Sequence, residues 1–320
     1  TAPLGHPGRG LHTRNLNRME ASQMATSVTT AFVEEYMTDL HHVFQREGSM
    51  LKDTVFLKDG IVGSTAHFQK LGTGTATTKS RHGEITPMNV THTAPSVTLQ
   101  DFYAGEWSDS LDEAKVNIDV RMAYAKAGAM SLGRKVDEQI TTVLDSTTQS
   151  TLTYTVTSSA AIQASLIAMV EALDANSVPN DGQRYGVLTP RAYAQAMTVE
   201  SFASSDYVGA NGLAFNEGIP GHRKFREWLN VKWCMLPSLP GQGTSTAKIF
   251  VYHKNALGYA IQKSEFPNAA AGENISADIT WHGDRAAYFI NHMMSGAAVM
   301  IDDTGVIEAN LNDTTAIATS

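Results

Sequence analysis

The chain reads as a mixed α+β protein. Between positions 118 and 143, apolar residues recur at three- and four-residue steps, which is the spacing of one helical face. Segments 97–102, 185–188, 228–241 and 247–261 are apolar runs of strand character, set off by Pro, Gly and Asn/Asp punctuation. These helices and strands do not alternate as regular βαβα units, so a doubly wound parallel sheet is disfavoured.

Residues 1–20 are polar and basic, without usable periodicity, and read as an extended arm carrying Arg9, Arg14 and Arg18. From Gln23 to Phe44, the residues Met24, Val28, Phe32, Tyr36, Leu40 and Val43 predict an amphipathic helix that ends by Gly48. In "DTVFLKDGIVG", strand-forming residues surround Asp59-Gly60, a hairpin or turn signal. "HFQKLGTGTATTKSRHGEITP" (67–87) follows, rich in Gly and Thr, with Phe68, Leu71 and Ile85 as its strongly apolar residues. It cannot bury a core of its own. Its threonines and the strand signals on both sides favour the tip of a two-stranded arm over a linker. Lys70, Lys79 and Arg81 are then placed to meet acidic surfaces elsewhere.

"SVTLQDFYAGEW" reads as a strand. After it comes the strongest periodicity in the chain: Ile118, Met122, Ala125, Ala129, Leu132, Val136, Ile140 and Val143. A helix over that span is roughly 39 Å long at about 1.5 Å per residue. Gly128 and Gly133 within it cost helix propensity and point to close approach of another backbone. The charges Lys115, Asp119, Arg121, Arg134, Lys135, Asp137 and Glu138 read as its solvated face. A second helix carries Ile162, Leu166, Met169, Val170 and Leu173, and a strand at 185–188 turns through Thr189-Pro190 into a third. Residues 203–222 are glycine-rich and irregular, and the region 276–311 reads as a twisted antiparallel ribbon.

Length, charge and cysteine count narrow the function. The 320 residues allow one large domain or two modest ones, with 42% hydrophobic residues for a core. A formal charge of −8 argues against the basic footprint of a duplex-binding protein. Cys234 is the single cysteine, so no intrachain disulfide forms; set between Trp233 and Met235, it reads as a buried, inert thiol. No stretch approaches the about 20 apolar residues of a membrane helix. Thr1 in place of Met is compatible with removal of an initiator or of a longer leader.

Catalytic chemistry is not assembled. Gly72-x-Gly74 is not followed by the Gly-Lys-Ser/Thr of a phosphate loop, and no helix pattern begins there. His282, Asp284 and His292 match no standard metal spacing. No catalytic, cofactor or metal residue is assigned, and an enzyme is not expected.

The order of features is arm, helix, Gly/Thr-rich β-arm, strand, very long helix, compact α/β part and terminal ribbon. That order resembles the major capsid proteins of tailed double-stranded DNA bacteriophages, the Hong Kong 97-type fold. "SVTLQDFYAGEWSDSLDEAKVNIDVRMAYAKAGAMSLGRKVDEQI" looks like that family's strand and spine helix, and "VPNDGQRYGVLTPRAYAQAM" like its A-domain strand, Pro turn and helix. "WLNVKWCMLPSLP" and "DITWHGDRAAYFINHMMSGAAVMIDDTGVIEA" resemble the strand that follows and the returning P-domain strands, and "LDEAKVNIDVRMAYAKAGAMSLGRKVD" is most like short-tailed, podovirus-like phages.

The resemblance implies an N-terminal arm and helix at 1–52, an E-loop at 53–88 and a P-domain at 89–155 and 263–312. An A-domain at 156–262 and a tail at 313–320 complete the division. It implies assembly contacts at Phe68, Lys70, Lys79 and Arg81 of the E-loop and at Arg9, Arg14 and Arg18 of the arm. The apolar stripe from Ile118 to Ile140 becomes the spine helix. The implied partners are other copies in pentamers and hexamers, a scaffold protein, a portal, enclosed DNA held without sequence-specific contacts, and a decoration protein; no membrane is implied. The implied location is the capsid shell of a virion, assembled in the bacterial cytoplasm. An encapsulin-like compartment shell and, further off, a soluble cytoplasmic enzyme are the alternatives. Covalent crosslinking through an E-loop lysine is not expected, because no matching asparagine and acid are identified.

Overall fold

A computed structural model of the chain describes residues 48–111, 120–154, 159–203, 225–262 and 276–314. The predicted helix at 23–44, the arginines of the first 20 residues, Ile118 and the irregular run 204–222 lie outside these.

The strands build two sheets and an arm. The first sheet holds β1 (Phe56–Ile61), β6 (Gln100–Asp109), β12 (Leu257–Gln262), β13 (Ser276–His282) and β14 (Ala287–Met300). β14 is its central strand: residues 287–293 are flanked by β6 and β13, and 296–300 pair with β12. The second sheet runs β7 (Leu152–Thr153), β15 (Val306–Leu311), β11 (Ala247–His253), β8 (Arg184–Leu188), β10 (Val231–Met235), β9 (Arg226–Trp228). The arm is made of two short ladders, β2 (Thr65–His67) with β5 (Ser96–Thr98) and β3 (Lys70–Leu71) with β4 (His92–Thr93).

Both faces of the second sheet are buried, which explains its near-continuous apolar strands. One face sets Leu188, Trp233, Ile249, Val251 and Ile307 against helix α2 (Ser159–Ala175) and helix α3 (Pro190–Ala196). All five predicted apolar residues of α2 are buried there. The alternate residues Val187, Cys234, Phe250 and Tyr252 face the other way, into a core shared with the long helix α1 (Val120–Leu144). A four-residue helix α4 (Glu200–Ala203) adds Phe202 to the first core.

The predicted Thr189-Pro190 start of α3 is present: the Thr189 hydroxyl accepts a 3.1 Å bond from the Ala192 amide, with Pro190 at the first helical position. Asp59-Gly60, by contrast, makes no hairpin. Gly60, with φ +69°, sits inside β1, where the register against β12 shifts between Lys58 and Ile61. A glycine in the left-handed region absorbs the extra residue of a bulge, and the strand continues through it. The expected ribbon at 276–311 also divides. β13 and β14 form it, whereas β15 crosses to the second sheet and pairs antiparallel with β11. Hydrophobic alternation, equal in both strands, cannot tell which sheet a strand joins.

In α1, Leu132, Val136 and Ile140 are buried as predicted. Ala125 and Ala129 are half-buried. Met122 is a correction: it is 64% exposed, while Ala123 and Met130 point inward. The stripe's mean step is about 3.6 residues, so Met122 keeps the face of Ile140; it is exposed because the core reached through Leu132, Val136, Ile140 and Leu144 does not extend to it.

Candidate assembly surfaces

The arm's root is welded to its own subunit. Phe68 is 3% exposed and packs with Ile61, Ala66 and Ala260. Its ring lies where a Cβ on Gly258 would stand. It meets Phe56 edge-on at 6.3 Å, and Lys58 Nζ sits 5.6 Å from the ring centre while donating 2.6 Å to the His67 carbonyl. Phe68, expected as a contact to a neighbour, is therefore an internal anchor. Apolar burial decides this, because a large ring next to a glycine gains more from its own sheet than from solvent.

Lys70 also has a partner within the chain. Its ammonium lies 2.9 Å from Asp302 Oδ1, tying the arm to the turn after β14. Burial would raise the Asp302 carboxyl, but hydrogen bonds from Lys70 and Thr304 outweigh it and hold that group below the usual carboxylate value.

Beyond the β3–β4 ladder the character changes. Residues 73–89 are exposed apart from the half-exposed Gly83, and none is in a strand. The arm is joined across its width by Gly72 N to Thr91 O at 2.8 Å, and Met88 lies across Gly74, where a Cβ would meet its sulfur. Lys79 and Arg81 stand in this exposed part and make no ion pair among the described residues. Beside them, Leu71, Ile85 and Met88 expose large apolar side chains. Such a group is unusual on a surface that stays in water.

A feature the sequence reading missed lies on α1. Asp137, assigned there to the solvated face, is fully buried. Its carboxylate accepts from Ser49 Oγ at 2.5 Å, Met50 N at 3.0 Å and Leu51 N at 3.0 Å. One turn earlier, a Cβ on Gly133 would stand 2.6 Å from the Gly48 carbonyl carbon. The backbone approach predicted from Gly133 is therefore real, and Asp137 receives the amides that this approach would otherwise bury unpaired. Gly128 instead admits the His292 imidazole. Burial depresses that ring's basicity, partly offset by a backbone hydrogen bond at Ala104. The Gly133–Asp137 spacing, with the acid beside Val136 and Ile140, was the signal available. The solvated-face reading holds for Lys135 and Glu138, paired at 2.8 Å.

The far end of α1 is clamped by three further acidic residues. Asp303 accepts from Thr147 Oγ1 at 2.7 Å and from both the amide and hydroxyl of Thr148. Glu308 and Asp145 both pair with Lys248, at 3.2 and 2.5 Å. These contacts fix the link between α1 and the second sheet.

Among the described residues no cluster of His, Cys, Asp or Glu is arranged to hold a metal, and no helix is long and apolar enough to cross a membrane.

Comparison with known proteins adds to this geometry. A family model described as phage capsid protein matches residues 28–312. Among solved structures, the capsid of the cyanophage P-SCSP1u superposes with a TM-score of 0.68 at 15% identity, covering 89% of this chain and 94% of that one. The capsid of Ralstonia phage GP4 gives 0.65 at 11% identity, covering 88% and 95%. A structure from Mycobacterium phage Che8 gives 0.62 at 17% identity, covering 89% and 98%. No curated protein matches by sequence.

Proposed function

The chain belongs to the phage capsid protein family, and on that premise we propose that it is the major subunit of an icosahedral shell, built from pentamers and hexamers around double-stranded DNA. Its fold is the Hong Kong 97-type α+β capsid fold. The observation that carries the proposal is the arm: residues 73–89 expose apolar and cationic side chains with almost no core of their own, an arrangement that is stable in use only against another copy.

In this reading residues 53–88 are the E-loop, with Lys79 and Arg81 as contacts to neighbours and Phe68 and Lys70 as its internal anchors. The P-domain comprises 89–155 and 263–312 and the A-domain 156–262, with strand exchange between them: β12 joins the P-domain sheet and β15 the A-domain sheet. Arg9, Arg14 and Arg18 belong to an N-terminal arm that contacts neighbouring copies. Scaffold, portal and decoration proteins are the further partners, the virion is the location, assembly takes place in the host cytoplasm, and the particle is that of a short-tailed phage. The net charge of −8 suits a container that does not grip its nucleic acid.

Electron microscopy of the purified, expressed chain tests the proposal. Closed icosahedral shells are the expected outcome, and a discrete small oligomer that never closes would overturn it. Crosslinking is tested on the same particles: boiled in denaturant they should run as monomer, since Lys70 is paired with Asp302 and no asparagine and acid are identified as partners for Lys79.

A further inference from the structure

Helix α1 runs along β14 in the same direction. Arg121 stacks over the Tyr288 ring at 4.5 Å, the His292 imidazole fills the space over Gly128, and Gln139 Nε2 donates 3.1 Å to the Gly296 carbonyl. β6 flanks β14 on one side, and β13 and β12 share the other. On that second side the helical cover stops short. Ile279 and Trp281 of β13 pair with Ile290 and Tyr288, so they point to the α1 side of the sheet, yet they are 46% and 51% exposed. The Trp281 ring lies 4.9 Å from that of Tyr288, which Arg121 covers. An apolar ledge thus borders the first turns of α1, of the kind that one more helix in the layer would cover.

We propose that the helix predicted over 23–44 covers this ledge in its own chain, with Tyr36 seated on Trp281 and Leu40 on Ile279. Connection, level and charge select this occupant. Gly48 lies against Gly133, and the residues after it lead into β1 beside β12, so the chain comes to α1 from the side that carries β13. Only Gln45, Arg46 and Glu47 separate Phe44 from Gly48, a reach of about 10 Å. Counted back from Gly48 at about 1.5 Å per residue, position 36 is level with Arg121, and hence with Tyr288 and Trp281. Position 40, one turn on, is level with Ile290 and Ile279. Both positions belong to the apolar stripe of that helix. Its charges match as well: residues 23–44 hold Glu34, Glu35 and Asp39 and no Lys or Arg, while α1 as far as Ser131 holds Arg121 and Lys126 and no acid. Docked in this way, the helix runs past Val120. Arg9, Arg14 and Arg18 then leave the subunit at the β13–β14 turn, where Asp284 is exposed.

Two measurements on the unassembled chain test it. The double variant Leu40→Cys with Ile279→Cys should oxidise to a disulfide within one chain, read as a faster-running monomer on non-reducing gels. Thr38→Cys with Ile279→Cys puts the thiol on the opposite side of the helix and should stay reduced; the natural Cys234 is buried and adds little background. Trp281→Ser, at a half-exposed position, should keep cooperative unfolding and raise chymotrypsin cleavage after Phe32, Tyr36 and Leu40 by roughly tenfold. Trp281→Phe should stay near the parent. A Leu40→Cys, Ile279→Cys chain that stays reduced or links only into dimers would overturn the proposal, as would a parent cut within 32–44 as fast as Trp281→Ser. Shell formation is a separate property, and none of these outcomes decides it.

Discussion

The arm and the six-stranded sheet are both built from β-favouring residues, yet they depend on different things for stability. In the sheet, Trp233, Phe250 and Tyr252 are fully buried, and alternate residues feed two separate cores. In the arm past Leu71, nearly every side chain faces solvent and a few backbone bonds cross its width. Threonine and valine can adopt strand conformation anywhere, but only burial makes it cohesive. The sheet is thus a property of the single chain, and the arm is a property of the assembly. Mutations should separate the two: damage to the sheet removes the subunit, and damage to the arm removes the shell.

The largest loss of subunit stability is expected at Trp233. Its ring fills the space over Gly186, and its indole donates 3.1 Å to the Trp228 carbonyl. Trp233→Ala should cost about 3–5 kcal/mol in denaturant unfolding, enough to deplete the folded subunit. Asp137→Ala comes next. It strands the Ser49, Met50 and Leu51 donors and should cost about 3 kcal/mol, with Asp137→Asn recovering part because one acceptor remains. The readout is loss of hydrogen-exchange protection at Met50 and Leu51.

A smaller effect is tied to pH at His292. Its folded value is depressed by burial, so the unfolded chain binds the proton more readily. The contribution is intact above the ordinary histidine value of about 6.5 and is lost as pH falls below it. Equilibrium unfolding between pH 7 and pH 5 should show this decline, and His292→Asn should flatten it. Breaking the Lys70–Asp302 pair by Lys70→Ala should cost only about 0.5 kcal/mol, and less in high salt, because both groups are about a third exposed. The smallest effect on the subunit comes from replacing residues 73–90 with a short Gly/Ser turn. Its melting temperature should hold while closed shells disappear; a subunit that unfolds would show that the arm is core after all.

How much of this was legible beforehand varied with the physics of each element. The α2 stripe, the Thr189-Pro190 cap, buried Cys234 and the two-stranded arm were readable because local periodicity and turn chemistry determine them. Met122 was misplaced because it shares the helical face of Ile140, and only the packed neighbours reveal where the covered part of that face stops. Phe68 and Lys70 were taken for surface groups because their partners, Gly258 and Asp302, lie about 190 and 230 positions away. Asp137 was hidden by a sound prior: carboxylates on helices usually face water, and this one is recruited by amides 86 to 87 residues earlier in the chain.

β15 is the last-made strand of its sheet, yet it sits between β7 and β11, and β14 holds the central place in the other. As the chain leaves the ribosome, β6 therefore waits with an open edge until β14 is made, and β7 until β15 is made. Both sheets are thereby completed only in chains translated through β14 and β15.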